Sequence, residues 1–263
     1  MSNLKLKDRI DTYQATSDYI LLPRVPVIIV VNGRGFTKLT QLLDKPFCTK
    51  LSECLLSTAL RLCSEIEGTV FAYQHNDEIV LVTRNDQGQE TEPWYDNRLQ
   101  KICSVSASIA TMHFGDCANE INLELSGDPI FTSQVFTVPT VGEATNTIVF
   151  KQQQNFHSSI QFACVYELIK KYDKNSIKDM LSGLSMDEKI DLLRQECQVE
   201  FNDYPISFRR GAACYKIPKI INNSAKYQWY LNPEPPIFAK EQSFLSNIFK
   251  NGADIFRQDS LGA

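Results

Sequence analysis

Apolar positions along the chain alternate between two spacings. Residues 25–31 form an almost unbroken β-branched run, with Pro23 and Pro26 at its start. Such a run predicts a central strand buried on both faces. It ends at Asn32-Gly33-Arg34-Gly35, where glycine opens backbone angles that other residues avoid. Leu51, Leu55, Leu56, Ala59, Leu62, Cys63 and Ile66 then recur at helical spacing, predicting a helix over 51–66 that Gly68 stops. Residues 69–73 and 79–83 read as two strands around the polar tip Gln74-His75-Asn76-Asp77-Glu78, a hairpin without a strong Asn-Gly turn. A second helix is expected from Trp94 to about Phe114, and a further strand over 131–138.

Strand, helix, hairpin, helix, strand is the order of a ferredoxin-like βαββαβ unit, so the fold class is α/β in the α+β sense, with an antiparallel sheet core. Helices are expected over 142–172, 174–184 and 186–195, and a short strand over 212–217. After Pro218 the periodicity fades, and Pro233, Pro235 and Pro236 disfavour regular structure, leaving at most a short amphipathic helix over 244–256. The expected organisation is a core over 1–140, a helical part over 141–217 completing the same domain, and an irregular tail over 218–263.

Composition narrows the function classes. Of 263 residues, 43% are hydrophobic and 22% charged, ordinary for a globular protein, and the net charge of −4 disfavours a generally basic nucleic-acid binder. The eight cysteines include no Cys-x-x-Cys pair and there are three histidines, so zinc spacing is absent and reduced thiols in a cytoplasmic setting are expected. No segment has the length of a membrane span. The aromatic residues lie mostly at core spacing, which gives no interleaved basic–aromatic nucleic-acid surface.

The chemistry is concentrated at the strand tips. Two rigid, adjacent tips can bring side chains onto one cation, and Mg²⁺ commonly takes one or two carboxylates together with substrate phosphates. Asp77 is the obvious ligand, though a lone hairpin acid is more often simply solvated. Glu78 lines the site or caps the strand. The backbone of Gly33 to Phe36 can cradle phosphate, as can an ordinary turn that binds nothing. Lys45 before Pro46, and Arg209-Arg210 before Gly211, are candidate phosphate clamps.

Taken together and in order, these pieces resemble the tRNA-His guanylyltransferase superfamily, including the guanylyltransferase-like 3′–5′ RNA polymerases. The similarity runs from about Leu6 to about Lys216. Asn32-Gly33-Arg34-Gly35-Phe36-Thr37 resembles the family's Asp-Gly-Arg-x-Phe-His. Lys45-Pro46 matches its Lys-Pro, and Phe71-Ala72-Tyr73 with Asn76-Asp77-Glu78 its Phe-Ala-Tyr-x-x-Ser-Asp-Glu. Lys151-Gln152 stands for its Arg-Gln, and Phe208-Arg209-Arg210-Gly211 follows its Arg-Lys-Gly.

The resemblance implies a polymerase palm-like core and a homo-oligomer, dimer or tetramer. It also implies Mg²⁺, one or two ions, with ATP and GTP as substrates. The implied reaction adds nucleotides to a tRNA or other RNA 5′ end in the 3′–5′ direction. The carried-over metal positions are Asn32, the Gly33 carbonyl and Asp77, with Glu78 among the catalytic positions. The nucleotide positions are Asn32, Gly33, Arg34, Gly35, Phe36, Thr37, Lys45, Asn76, Asp77 and Arg210. The chain departs from the pattern where Asn32 replaces the first metal aspartate. It departs again where Phe131-Thr132-Ser133-Gln134 replaces Phe-Asp-Ala-Arg. The alternative is a catalytically impaired descendant that binds nucleotide, RNA or a partner protein.

Overall fold

The sheet forms around the strand that the β-branched run predicts. In the computed structural model, which describes residues 5–88, 90–221 and 224–251, β1 spans Val27–Gly33, β2 Thr69–His75, β3 Glu78–Thr83, β4 Phe131–Thr137, β5 Ala212–Ile221 and β6 Ser224–Asn232. They make one six-stranded antiparallel sheet in the order β4-β1-β3-β2-β5-β6. The first four strands have the order of the expected βαββαβ unit. Val27 to Val31 are all buried, as a strand covered on both faces requires.

Each face of the sheet has its own helical layer. The helices are α1 (Leu6–Ala15), α2 (Phe36–Leu39), α3 (Thr49–Glu65), α4 (Leu99–Glu120), α5 (Val141–Leu168), α6 (Lys174–Leu181), α7 (Met186–Cys197), α8 (Ile206–Arg210) and α9 (Gln242–Asn251). Val27, Ile29 and Val31 pack with Leu55, Leu62, Ala110 and Phe114 of α3 and α4. Ile28 and Val30 face Ile148 of α5 and Leu245 and Ile248 of α9. A satellite core joins the far half of α5 to α6, α7 and α8 through Ile160, Leu168, Ile177, Leu193 and Phe208. Among the described residues no helix is long and apolar enough to cross a membrane.

Three expectations change. The hairpin is tighter than its polar sequence implies: β2 runs on through Gln74 and His75, both buried, leaving a two-residue turn at Asn76-Asp77. Asn76 takes φ +48°, a left-handed backbone that asparagine tolerates. The expected second helix instead begins at Leu99, because Tyr95, Asp96 and Asn97 all have positive φ.

The irregular tail is corrected most. β5 continues past Pro218 to Ile221 and pairs with β6 from Ala213 to Ile221, and α9 follows. Pro218 is tolerated because β2 pairs with β5 only at Ala212 to Tyr215. Beyond that point one edge of β5 has no strand partner among the described residues, and a missing N–H costs little there. The sheet thus draws strands from all three expected stretches.

Gln152 fastens the late segment to the core. It is 5% exposed on α5. Its side-chain amide donates to the Pro236 carbonyl (3.0 Å) and its oxygen accepts from the Phe238 N–H (2.8 Å). Gln152→Leu strands both backbone groups without water. It should cost about 2–5 kcal/mol and lower Tm by roughly 5–15 °C in thermal unfolding.

Candidate functional site

Strand pairing brings the two tips together. Asn32 lies opposite Glu78 across the β1–β3 ladder, and the Gly33 N–H donates to the Asp77 carbonyl at 2.9 Å. The Arg34 N–H donates to the Ile130 carbonyl at 2.7 Å, closing the other side of the β1 end. Asn32 and Asp77, 45 residues apart in sequence, therefore sit on neighbouring strand ends.

The two glycines after Asn32 act differently. A Cβ on Gly33 would lie 2.2 Å from the Phe36 ring, so this glycine serves close approach rather than an unusual φ. Phe36 in turn is buried against Phe114 and Phe131, at 5.4 and 5.1 Å between ring centroids. Gly35 has φ +68° and begins α2. The N–H groups of Gly35, Phe36 and Thr37 donate to no acceptor among the described residues, whereas those of Gly33 and Arg34 are spent inside the sheet.

A cavity of about 160 Å³ opens beside this turn. Phe36, Thr37, Lys45, Asn76 and Asp77 line it, together with Thr40, Gln74 and Ser207. Its apolar wall is Phe47, Leu51, Leu55, Phe162, Tyr166 and Phe208. Asn32, Gly33, Arg34, Gly35, Glu78 and Arg210 do not line it.

Burial works against the charged form of both Asp77 and Lys45. Burial raises the Asp77 carboxyl, helped by the charge of Glu78 and opposed by a backbone hydrogen bond. Burial lowers the Lys45 ammonium, opposed by Cys48. Lys45 donates to the Thr40 hydroxyl (2.9 Å) and lies 5.8 Å from the Tyr166 ring centroid. Asp77 forms no ion pair among the described residues, and no group of three or more His, Cys, Asp or Glu is gathered there for a metal. A lone half-buried carboxylate beside an open cavity suits Mg²⁺ that completes its shell with substrate phosphates, and does not suit an all-protein cage.

On the α5 face the charge is matched. Lys151 Nζ lies 2.8 Å from Glu78, with both side chains about one-fifth exposed. The neighbouring wall hangs from the same hairpin. The Tyr73 hydroxyl donates to the Arg210 carbonyl (2.7 Å), and His75 Nε2 donates to the Phe208 carbonyl (3.1 Å). Complete burial pushes His75 down to about 3, so its ring is neutral. These bonds fix the backbone of Arg210 and leave its guanidinium without an ion pair among the described residues.

Several of these contributors carry no motif in the sequence. Tyr166, Phe162 and Ser207 reach the cavity by tertiary packing alone. Lys151 and Gln152 were visible as a motif, but their partners were not. A usable signal was the stripe Ile148, Gln152, Asn155 and Ser159, whose polar members occupy the buried face of α5.

The Asp77 environment gives a stability test. With its carboxyl raised by burial, the folded state favours the protonated form, and that advantage is lost as pH rises through the raised folded value. Asp77→Asn removes the loss. It should raise Tm at pH 7–8, with the gain vanishing as pH falls into the ordinary carboxyl range, measured by calorimetry across pH.

Comparisons with known proteins agree with this fold. The chain is 26% identical over 205 residues to a probable tRNA(His) guanylyltransferase of Dictyostelium discoideum, covering 76% of this chain and 78% of that protein. A bacterial tRNA(His) guanylyltransferase-like protein in complex with ATP superposes with a TM-score of 0.81 at 26% identity, covering 93% of this chain and 99% of that one. One in complex with GTP gives 0.74 at 25% identity, covering 93% and 98%. The family model described as tRNAHis guanylyltransferase matches residues 7–139, half of the chain and both strand tips, and the chain belongs to that family.

Proposed function

We propose that the chain is a nucleotidyltransferase that takes ATP or GTP into this cavity and adds nucleotides to a tRNA or other RNA 5′ end in the 3′–5′ direction. One observation carries the reading: Asp77, Asn76, Thr37 and Lys45 line a single cavity beside three unspent backbone amides. The two bacterial guanylyltransferase-like structures, one in complex with ATP and one with GTP, support it.

Each group has a role in this reading. The amides of Gly35, Phe36 and Thr37 receive phosphate oxygens. Lys45 gains an anion that offsets the desolvation of its ammonium, and Arg34 and Arg210 close on the phosphates from outside the cavity. The aromatic wall of Phe162, Tyr166 and Phe208 takes the nucleoside. Asp77, the Gly33 carbonyl and the Asn32 amide oxygen would hold Mg²⁺, which would supply neutralisation of the triphosphate charge. Asn32 contributes no charge and Glu78 is already matched by Lys151, so the protein itself supplies one strong cation position. The 3′-hydroxyl of the incoming nucleotide attacks the activated 5′-phosphate of the RNA. A new P–O bond forms as the bond to pyrophosphate (or to AMP, on an adenylylated end) breaks, and the hydroxyl proton passes to solvent.

A homo-oligomer, dimer or tetramer, belongs to the same proposal. The exposed stripe Leu6, Ile10 and Tyr13 on α1, a helix with no buried residue, supports it. So does a cytoplasmic setting, with all eight cysteines free.

The test incubates the protein with 5′-triphosphorylated and 5′-monophosphorylated tRNA, Mg²⁺ and labelled nucleoside triphosphates. Incorporation is expected. Asp77→Ala should lower kcat/KM by about 10²–10³-fold, and Lys45→Ala should raise KM for the nucleotide. Asn32→Asp should lower the Mg²⁺ concentration giving half-maximal rate. No incorporation across several tRNAs with Mg²⁺ or Mn²⁺, or an Asp77→Ala variant as active as the parent, would overturn the reading.

A further inference from the structure

The late hairpin extends beyond the sheet. β2 covers β5 only as far as Tyr215, and β6 is the outer strand, so from Lys216 onward β5 and β6 form a two-stranded ribbon. Between Ala212 and Asn232 there are three lysines and no acid, in a chain whose net charge is −4. Register concentrates that charge: Lys219 lies directly opposite Lys226, and both are exposed.

Like charges facing across a ladder repel and weaken it. Neither lysine has an ion pair among the described residues. An open-edged ribbon is itself only marginally stable. An anion binding across such a pair would relieve that repulsion.

Aromatic groups accompany the cations. Lys216 lies 5.0 Å from the ring centroid of Trp229, its cross-strand partner. Tyr230, 40% exposed, packs edge-on against Tyr215 at 5.6 Å on the face that Lys219 and Lys226 share by strand alternation. Cations tracking a backbone beside aromatic rings are the composition of a single-stranded nucleic-acid contact. The sequence alone hid this pattern, because the stretch after Pro218 read as irregular and its tyrosines as core.

We propose that the β5–β6 ribbon is a second RNA contact, separate from the nucleotide cavity, in which Lys219 and Lys226 together grip the phosphodiester backbone. This rests on the reading that the substrate is RNA. Distance sets the size of ligand that can use it. Ala212 pairs with Gln74, which lines the cavity. Lys219 lies seven residues further along β5, about 23 Å at the rise of a strand. A mononucleotide cannot span that separation; a folded RNA can.

The test measures tRNA binding to the full-length protein by fluorescence anisotropy over a salt series, with ATP binding followed in parallel. Lys219→Glu with Lys226→Glu should weaken tRNA binding by about 10–100-fold at low salt and leave ATP affinity unchanged. Lys219→Gln with Lys226→Gln should reduce the slope of log K against log salt by about 1.5–2. Lys219→Arg with Lys226→Arg should retain parental affinity, which separates charge from folding. The ribbon assignment is overturned by a Glu pair that binds tRNA like the parent. It is equally overturned if that pair changes only the oligomer mass in light scattering, making the ribbon a subunit contact. RNA binding without nucleotide incorporation would leave the ribbon standing and remove the polymerase reading instead.

Discussion

The site depends on how β1 ends. From Val27 to Val31 the strand is apolar on both faces, so a slip of one residue would exchange apolar groups for apolar groups there. What pins the register lies at the tip. The Gly33 amide closes on the Asp77 carbonyl, the Arg34 amide on the Ile130 carbonyl, and Phe36 locks over the face of Gly33. Those contacts also decide which amides remain for a ligand. The proposed phosphate cradle is therefore what is left over once the sheet has taken the hydrogen bonds it needs.

Charge follows the same division between the two sides of the sheet. Towards α5, a carboxylate and an ammonium are matched at Glu78 and Lys151. Towards the cavity, Asp77 and Lys45 are each driven by desolvation against their charged forms. A ligand that brings both a divalent cation and a polyanion relieves both penalties together. The replacement of an expected aspartate by Asn32 fits this balance, since a third carboxylate at this tip would add repulsion to Asp77 and Glu78 in the empty site.

The scaffold was legible where one residue pattern mapped to one element. The β-branched run, the stripe of α3 and the order of strands and helices up to β4 needed little beyond periodicity. The resemblance located Asp77, Asn76, Thr37 and Lys45 before any geometry. Legibility failed where tertiary context overrode local cues. Gln74 and His75 look like a solvated tip, yet α8 covers them. Pro218 looks like a terminator, yet an open edge admits it. Nothing in the sequence announces that Gln152 holds Pro236 and Phe238, because a buried amide is defined by partners 84 and 86 residues away.

The neutral imidazole of His75 has a mechanical consequence. Through Phe208 it ties one wall of the cavity to the same hairpin that carries Asp77, so carboxylate and wall cannot part without breaking a shielded hydrogen bond. Deep burial also keeps that tether from gaining a proton across the physiological range. The span between the hairpin and that wall is therefore set by a link whose protonation does not follow the acidity of the surroundings.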